Sequence, residues 1–248
     1  RSCGTRFPRI EGAPWLCADP AATIGDWRTR LRALTAELEA QAGRYRAALS
    51  ADLTRPATRN RLKLMSSACG DHARRLKSLL APLDVAASSA APESYRALGS
   101  PLPPGQGLTS YYANLHCDWC WGRDENEAAF RAVDAALGSA NPGRTLVVGS
   151  GAGRLAYDVH LRRRPAVLLA ADLNPLMLLV AKRMFAGDHL ELYEFPVAPR
   201  DLASHAVLRD LHAPAPASAG LHLLAADASR APFAAGAFDT VITPWLVD

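Results

Sequence analysis

The sequence lacks the features that mark a membrane or secreted protein. It has no run of 18 apolar residues, the length that a helix needs to span a bilayer. It begins at Arg1 without Met and without the pattern of a signal peptide. Its five cysteines are an odd number at irregular spacing, which argues against a disulfide framework. We therefore expect a cytoplasmic chain that has no contact with a membrane.

The sequence also lacks metal-site spacing. Cys117 and Cys120 form a CxxC pair, but no second pair stands at zinc spacing, and the histidines form no HxxxH pattern. Trp119 between the two thiols favours packing over redox chemistry, so we expect no metal. With 49% hydrophobic and 21% charged residues, the composition is that of a globular protein, which excludes disordered and collagen-like chains.

The net charge of +4 is unevenly distributed. Residues 1–110 carry 16 basic and 9 acidic side chains, and residues 111–248 carry 12 and 15. Two explanations stay open: the first half meets an anionic partner, or it has a solvated, arginine-rich helix surface. No basic stripe of the kind that binds nucleic acid is present, so we do not expect a nucleic-acid partner.

In the first region, residues 1–110, the segment 1–18 is predicted to be irregular because it contains Pro8, Gly12 and Pro14, and the segment after it is predicted to be helical. Apolar residues from Trp27 to Leu38 recur at spacings of three and four, which indicates a helix from about Ala21 to Leu53. Pro56 is suited to begin a second helix, and Pro82 ends it. We expect an antiparallel helical pair, followed by a linker at 84–109.

The second region, residues 111–248, alternates strands and helices. This alternation predicts an α/β fold with a doubly wound, Rossmann-like sheet. Residues 187–220 are predicted to be irregular because they contain four prolines. The chain stops just after the fourth predicted strand, so we expect a sheet truncated there; an exposed edge in such a sheet would favour a homodimer. The predicted strands are Arg144–Val148, Ala166–Ala171, Leu221–Ala225 and Phe238–Thr243.

A glycine-rich segment follows the first of these strands. Gly149, Gly151 and Gly153 allow a ligand to approach the backbone closely, and the next helix presents free N–H groups. A dinucleotide fingerprint needs Gly or Ala where this chain has Arg154, which disfavours a nicotinamide or flavin site. A glycine turn without a ligand stays open as the alternative.

Two acidic residues follow the next two strands. Asp172 is placed to accept hydrogen bonds from the two hydroxyls of a ribose. The alternative role, a cap for the helix that begins at Pro175, suits Asn174 better because Asn174 directly precedes that proline. Asp227 can accept a hydrogen bond from an adenine amino group. All these residues would meet at the carboxyl ends of the strands, where α/β sheets bind ligands.

Together the motifs resemble those of class I S-adenosylmethionine-dependent methyltransferases, and within them the carnosine N-methyltransferase family. That family's PGxGxGRLAxE is matched by GSGAGRLAYD at Gly149–Asp158, and its NExSxxML by ADLNPLML at Ala171–Leu178. Its GDF is matched by Ala226–Ala228, and its WDxxxTxFFIDT by Phe238–Asp248. Upstream, its QxxRDWS is similar to Asn114–Cys120. The resemblance covers about residues 111–248.

The resemblance implies a Rossmann-like methyltransferase sheet that binds S-adenosyl-L-methionine and releases S-adenosyl-L-homocysteine. It implies a catalytic contact from Asp248, whose family counterpart meets an imidazole; an ordinary chain-end Asp is the alternative. A carboxylate there could hold the second proton of a neutral imidazole. The predicted cofactor-binding residues are Asn114, Gly149, Ser150, Gly151, Gly153, Arg154, Asp172, Leu173, Asp227, Ala228 and Pro244.

We therefore expect N-methylation of a small imidazole- or amine-bearing metabolite or peptide. Two alternatives stay open: an RNA or protein methyltransferase that docks its substrate on the basic N-terminal region, and a non-catalytic domain that binds the cofactor. The aromatic residues Tyr111, Tyr112, Trp119 and Trp121 are predicted either to line a lid over the cofactor or to pack in the core.

Overall fold

The structure is a computed structural model that describes residues 7–50, 55–85 and 112–244. These residues form two compact units, and neither unit is continuous in sequence. Among the described residues, no helix combines the length and the apolar character needed to cross a membrane. The first unit takes its described residues from Arg1–Ile24, Thr109–Leu190 and His212–Asp248, and the second unit from Gly25–Leu108 and Glu191–Leu211.

In the described residues, the predicted helices and strands are present in the predicted order, with a short additional helical segment at 112–121 and four additional strands. Two of these strands lie within residues 1–18, which the sequence predicts to be irregular, and two lie within residues 187–220. The elements before residue 90 are β1 (Arg9–Ile10), β2 (Ala13–Pro14), α1 (Pro20–Leu49), α2 (Pro56–Leu79) and a 3-10 turn at Ala81–Leu83. The later helical elements are α3 (Tyr112–His116), a π-helical turn at Cys117–Trp121, α4 (Arg123–Leu137), α5 (Arg154–Arg163) and α6 (Pro175–Ala186). The later strands are β3 (Arg144–Val148), β4 (Val167–Asp172), β5 (Leu190–Glu194), β6 (Val207–Leu211), β7 (Leu221–Ala225) and β8 (Thr240–Ile242).

The predicted helical pair is present in the second unit. Arg28, early in α1, donates from Nε to the carbonyl oxygen of Leu83, beyond α2, at 2.6 Å. Ser66 Oγ donates to the carbonyl oxygen of Ala42 at 3.1 Å. These contacts show that the two helices run antiparallel. Residues 51–54, into which the first helix was predicted to extend, and residues 86–109 of the predicted linker lie outside the described residues.

The prediction that residues 187–220 are irregular is wrong, because this stretch contains β5 and β6, which pair as a two-stranded sheet. Leu192 and Leu211 are fully buried, so each strand has an apolar anchor. The prolines, which cannot donate to a ladder, all fall outside the two strands. They made the whole stretch look like a loop, although they lie only in the connection and after β6.

The first unit contains a four-stranded parallel sheet with the strand order β7-β4-β3-β8. This finding confirms the α/β class. On one face, Val147 of β3 packs with Phe130 of α4 and with Val159 of α5. On the other face, Leu146 packs with Leu224 of β7. Strands that are covered on both faces explain why the sequence shows continuous apolar runs here instead of an alternation.

A single π-helical turn joins α3 to α4. The N–H of Gly122 donates to the carbonyl oxygen of Cys117, five residues earlier, at 2.9 Å. Asn126 Nδ2 donates to the same oxygen at 3.1 Å and to that of Asp118 at 3.2 Å. A Cβ atom at Gly122 would lie 2.6 Å from the Cys117 carbonyl oxygen and would also collide with its Sγ. The wide turn therefore requires a glycine.

We expect Gly122→Ala to lower the free energy of unfolding by about 2 kcal/mol or more, because the added methyl group displaces the Cys117 backbone. Gly43→Ala is the matched control, since a Cβ at Gly43 in α1 meets nothing within 4 Å. Replacing a helix-interior glycine by alanine stabilises by about 0.5–1 kcal/mol. Urea unfolding of both variants measures the difference, and equal stabilities would contradict this account of the turn.

Candidate functional site

The glycine-rich segment forms an open loop between β3 and α5. Its three glycines have left-handed φ angles, +65° at Gly149, +55° at Gly151 and +85° at Gly153. A Cβ at Gly153 would lie 2.7 Å from the ring of Phe185, so this glycine lets α5 pack closely on α6. A Cβ at Gly151 would meet nothing within 4 Å. The loop backbone therefore faces open space at Gly151, where a ligand can approach it.

Asp172 joins this loop to the end of β4. Its Oδ2 accepts a hydrogen bond from the N–H of Gly151 at 2.7 Å, and its Oδ1 accepts one from the N–H of Asn174 at 2.8 Å. Burial raises the pKa of this carboxyl group, while the backbone N–H donors oppose the shift. Asn174 caps α6 by accepting from the N–H of Leu176 at 3.0 Å, as the sequence predicts. The Asp172 carboxyl group is therefore not needed as the cap of α6, and it bonds the loop instead.

The strand order places the loop at a reversal of the sheet. The chain builds β3, adds β4 and β7 on one side, and then returns to place β8 on the other side of β3. The reversal lies between β3 and β8. In α/β proteins, a crevice that binds ligands opens at the carboxyl ends of the two strands on either side of such a reversal. Gly149 directly follows β3 at this edge, and Pro244 follows β8 two residues after its end.

Asp227 lies at the same edge, after β7. Its Oδ1 accepts hydrogen bonds from the N–H and the Oγ of Ser229, at 2.9 and 2.7 Å. This bonding fixes the carboxylate over the 3-10 turn that begins at Ala228. The N–H of Ala226 donates to the backbone oxygen of Asp172 at 3.1 Å, so the ends of β7 and β4 are held together.

An N-terminal segment that the sequence predicts to be irregular borders this edge. Trp15 forms a parallel bridge with Ala225, and the N–H of Leu16 donates to the Ala225 carbonyl oxygen at 2.8 Å. Cys17 is buried, and this burial together with the charge of Asp227 raises the pKa of its thiol. The segment therefore forms one side of the crevice, next to Asp227. No motif in the sequence marks it, since its pairing partner lies about 200 residues away.

Behind the loop lies a buried group of charged and aromatic side chains. Trp119 is 2% exposed, and its Nε1–H donates to the carbonyl oxygen of Ala152 in the loop at 3.0 Å. Arg154 donates from Nη1 to the Asp118 carbonyl oxygen at 2.8 Å and pairs through Nε with Asp158 at 2.9 Å. Its guanidinium carbon lies 5.4 Å from the centre of the Trp119 ring.

Two carboxyl groups near Arg154 titrate unusually. Burial raises the pKa of Asp118 to about 7, although the positive charge of Arg154 opposes the shift. Burial also raises the pKa of Asp158. The Arg154–Asp158 pair has the i, i+4 spacing of a helical ion pair and was visible in the sequence. The position of Asp118 beside it was not, because it depends on the π-helical turn.

Cys117 has an environment that disfavours thiolate chemistry. Its Sγ lies 2.9 Å from Glu125 Oε2 as a hydrogen-bond donor, and burial followed by Glu125 raises the pKa of the thiol to about 12. The thiolate is the form that binds metals and attacks electrophiles. At neutral pH, Cys117 is therefore protonated, and half of the CxxC pair is inert.

The predicted site residues fall into three groups. The loop glycines, Ser150, Asp172 and Leu173 are brought together at the edge of β3 and β4, with Asp227 and Ala228 at the end of β7. Arg154 directs its side chain to Asp158 and to the Asp118 carbonyl oxygen. Asn114 is exposed in α3, and Pro244 is partly buried. For all of these residues, a role as a cofactor contact stays a prediction. Asp248 lies outside the described residues.

Comparison with known proteins adds no relative: a scan against family models and a search of curated proteins both found no match.

We expect the stability difference between the wild type and Asp118→Asn to depend on pH. The unfolded chain releases the Asp118 proton near pH 4, whereas the folded chain keeps it until about pH 7. Between these values the folded state binds more protons, so the Asp118 contribution to the free energy of unfolding falls as pH rises. The variant should gain on the wild type by about 2–4 kcal/mol from pH 4 to pH 8.

Urea unfolding at several pH values measures this difference. Asp124→Asn is the matched control, because Asp124 is exposed in the first turn of α4. The pH profile of Asp118→Asn is read against that of this control. A constant difference between Asp118→Asn and the wild type across this range would contradict the buried, late-titrating carboxyl group.

Proposed function

We propose that the first unit binds S-adenosylmethionine and that the chain is a methyltransferase with a Rossmann-like sheet of the class I kind. One observation carries the proposal: the N–H of Gly151 bonds the carboxylate of Asp172 at the carboxyl edge of the parallel sheet. A glycine loop and an acidic residue on the next strand are the two parts that a bound nucleoside requires, one for close approach and one for the ribose.

The atoms around this bond fit an adenosine with an amino-acid tail. Ser150 Oγ is buried and finds no hydrogen-bond partner in the described part of the chain, so it is available to a ligand. Gly151 leaves open space beside the backbone. Each carboxylate oxygen has two lone pairs, so Asp172 can still accept from ribose hydroxyls after binding the loop. Asp227 keeps Oδ2 for an adenine amino group.

Methyl transfer requires the enzyme to position the acceptor against the methyl group, and it needs no covalent nucleophile on the enzyme. Bound S-adenosylmethionine would supply a methyl group on a sulfonium, ready for in-line displacement by a nitrogen. The residues of this chain would orient the ribose at Asp172, fix the tail against the loop and exclude water. The proposed acceptor is a small molecule or peptide with an imidazole or amine nitrogen. Asp248 is proposed, on the family resemblance alone, to hold that imidazole.

Two observations favour a single nucleoside over a dinucleotide as the cofactor, and a small molecule over RNA as the acceptor. Arg154 takes the position where a dinucleotide loop needs a small residue, and its guanidinium is engaged with Asp158. In the second unit, several basic side chains already pair with acids, as Lys77 does with Glu39 at 2.6 Å and Arg75 with Glu191 at 3.0 Å. Such pairing favours a solvated surface over an RNA-binding one.

We expect the Gly151→Ala variant to lose affinity for S-adenosylhomocysteine. The added Cβ meets no protein atom but fills the space in which the ligand would lie, so affinity should fall at least about tenfold, or 1.4 kcal/mol. Gly138→Ala is the matched control, because Gly138 has a nearly identical φ of +53° and equally open space at the end of α4. Both variants should lose about 1–3 kcal/mol of stability, because an L side chain is strained at a positive φ.

Calorimetric titration with S-adenosylhomocysteine measures these affinities. We expect micromolar binding by the wild type and by Gly138→Ala. Equal affinity in Gly151→Ala would show that the loop is not the site, and absence of binding by the folded wild type would overturn the proposal. Binding without methyl transfer to any imidazole or amine acceptor would refute the enzymatic half of it.

A further inference from the structure

We propose that Trp119 and Arg154 form a clamp that holds the glycine loop in its open conformation, which makes Trp119 a positioning residue of the site. The clamp consists of the segment Cys117–Trp121, the side chain of Arg154 and the loop carbonyl of Ala152. Its role toward a ligand rests on the proposed function, while its role toward the loop does not.

The loop is held from two sides. On the sheet side, its N–H groups donate to β4: Ser150 to the Ala171 carbonyl at 3.0 Å, and Gly151 to Asp172 at 2.7 Å. From the segment Cys117–Trp121, the Trp119 indole donates to the Ala152 carbonyl at 3.0 Å. Three left-handed glycines give this loop more accessible conformations than ordinary residues would. A bond at each side selects one of them before any ligand arrives.

Arg154 fixes the indole in the position from which it reaches the loop. As the first residue of α5, it directly follows the loop, and it bonds the Asp118 carbonyl next to Trp119 at 2.8 Å. Its guanidinium also lies over the Trp119 ring, and its pairing with Asp158 restrains it within α5. The Trp119 ring meets the Tyr157 ring edge to face at 5.4 Å between centroids. These contacts connect the segment Cys117–Trp121 and helix α5 to the end of the loop.

The π-helical turn explains why Trp119 and not Trp121 has this role. The turn directs Trp119 inward, where it is 2% exposed, and leaves Trp121 48% exposed. Both tryptophans belong to the aromatic stretch that the sequence predicts either as a lid or as core. Trp119 therefore belongs to the core, and its indole nitrogen, which carries a single hydrogen, also donates to the loop. Pre-ordering a binding loop raises affinity by lowering the entropy lost on binding.

Amide hydrogen exchange of the unliganded protein, read by NMR at Ser150, Gly151 and Gly153, tests the clamp. Trp119→Phe keeps an aromatic ring against Tyr157 and removes the N–H donor. We expect it to raise exchange at these three amides about tenfold, and by more than at the amides of β4, which report any general loss of stability. Trp121→Phe is the matched control and should leave exchange at these amides unchanged.

Unchanged exchange in Trp119→Phe would overturn the inference. If this variant loses its fold, Arg154→Lys is read in its place, since a lysine lacks the two separate nitrogens with which Arg154 bonds the Asp118 carbonyl and Asp158. This variant should raise exchange at the same amides, and unchanged exchange there would also overturn the clamp. Titration with S-adenosylhomocysteine separates the two proposals. Binding by the wild type with several-fold weaker binding by Trp119→Phe supports both, whereas no binding by the wild type defeats the proposed function and leaves the exchange result to decide the clamp.

Discussion

The hydrogen bond between the Gly151 N–H and the Asp172 carboxylate is the interaction on which the candidate site depends. A loop rich in glycine loses about 1–2 kcal/mol of backbone entropy for each residue that is ordered. It therefore stays open only where neighbouring groups hold it. Asp172 supplies one such group from β4, and the Trp119 indole supplies another through Ala152. The loop is held in this shape because a carboxylate and an indole bond two of its adjacent residues.

The parallel sheet brings these groups within reach of one another. Because β3, β4 and β7 are parallel neighbours, their carboxyl ends lie at one edge, and residues far apart in the chain meet there. Asp172 ends β4, the glycine loop directly follows β3, and Asp227 follows β7 after one residue. Leu16 adds a further hydrogen bond at the end of β7, so a short N-terminal segment closes the side of the same crevice. Such an edge concentrates hydrogen-bond acceptors beside an exposed glycine backbone, which suits a ligand with several hydroxyl and amino donors.

Local signals in the sequence predict the elements that carry this site. Continuous apolar runs predict the strands, the glycines predict the loop, and Asn174 before Pro175 predicts the cap that leaves Asp172 free for other partners. The failures share one physical cause, because each depends on contacts between residues distant in sequence. The burial of Leu192 and Leu211 turns a proline-rich stretch into β5 and β6, and the pairing of Trp15 with Ala225 has no local marker. The raised pKa of Asp118 follows from its burial beside Arg154, which lies 36 residues later in the sequence.

A crystal structure of the protein grown with S-adenosylhomocysteine tests the central claim most directly. We expect an adenosine in the crevice at the carboxyl ends of β3, β4 and β7, with its ribose hydroxyls bonded to the Asp172 carboxylate and its amino-acid tail along Gly151. We also expect the Gly151–Asp172 and Trp119–Ala152 hydrogen bonds to persist in the complex. A ligand bound elsewhere on the protein, or a saturated crystal whose glycine loop contacts no ligand, would contradict it.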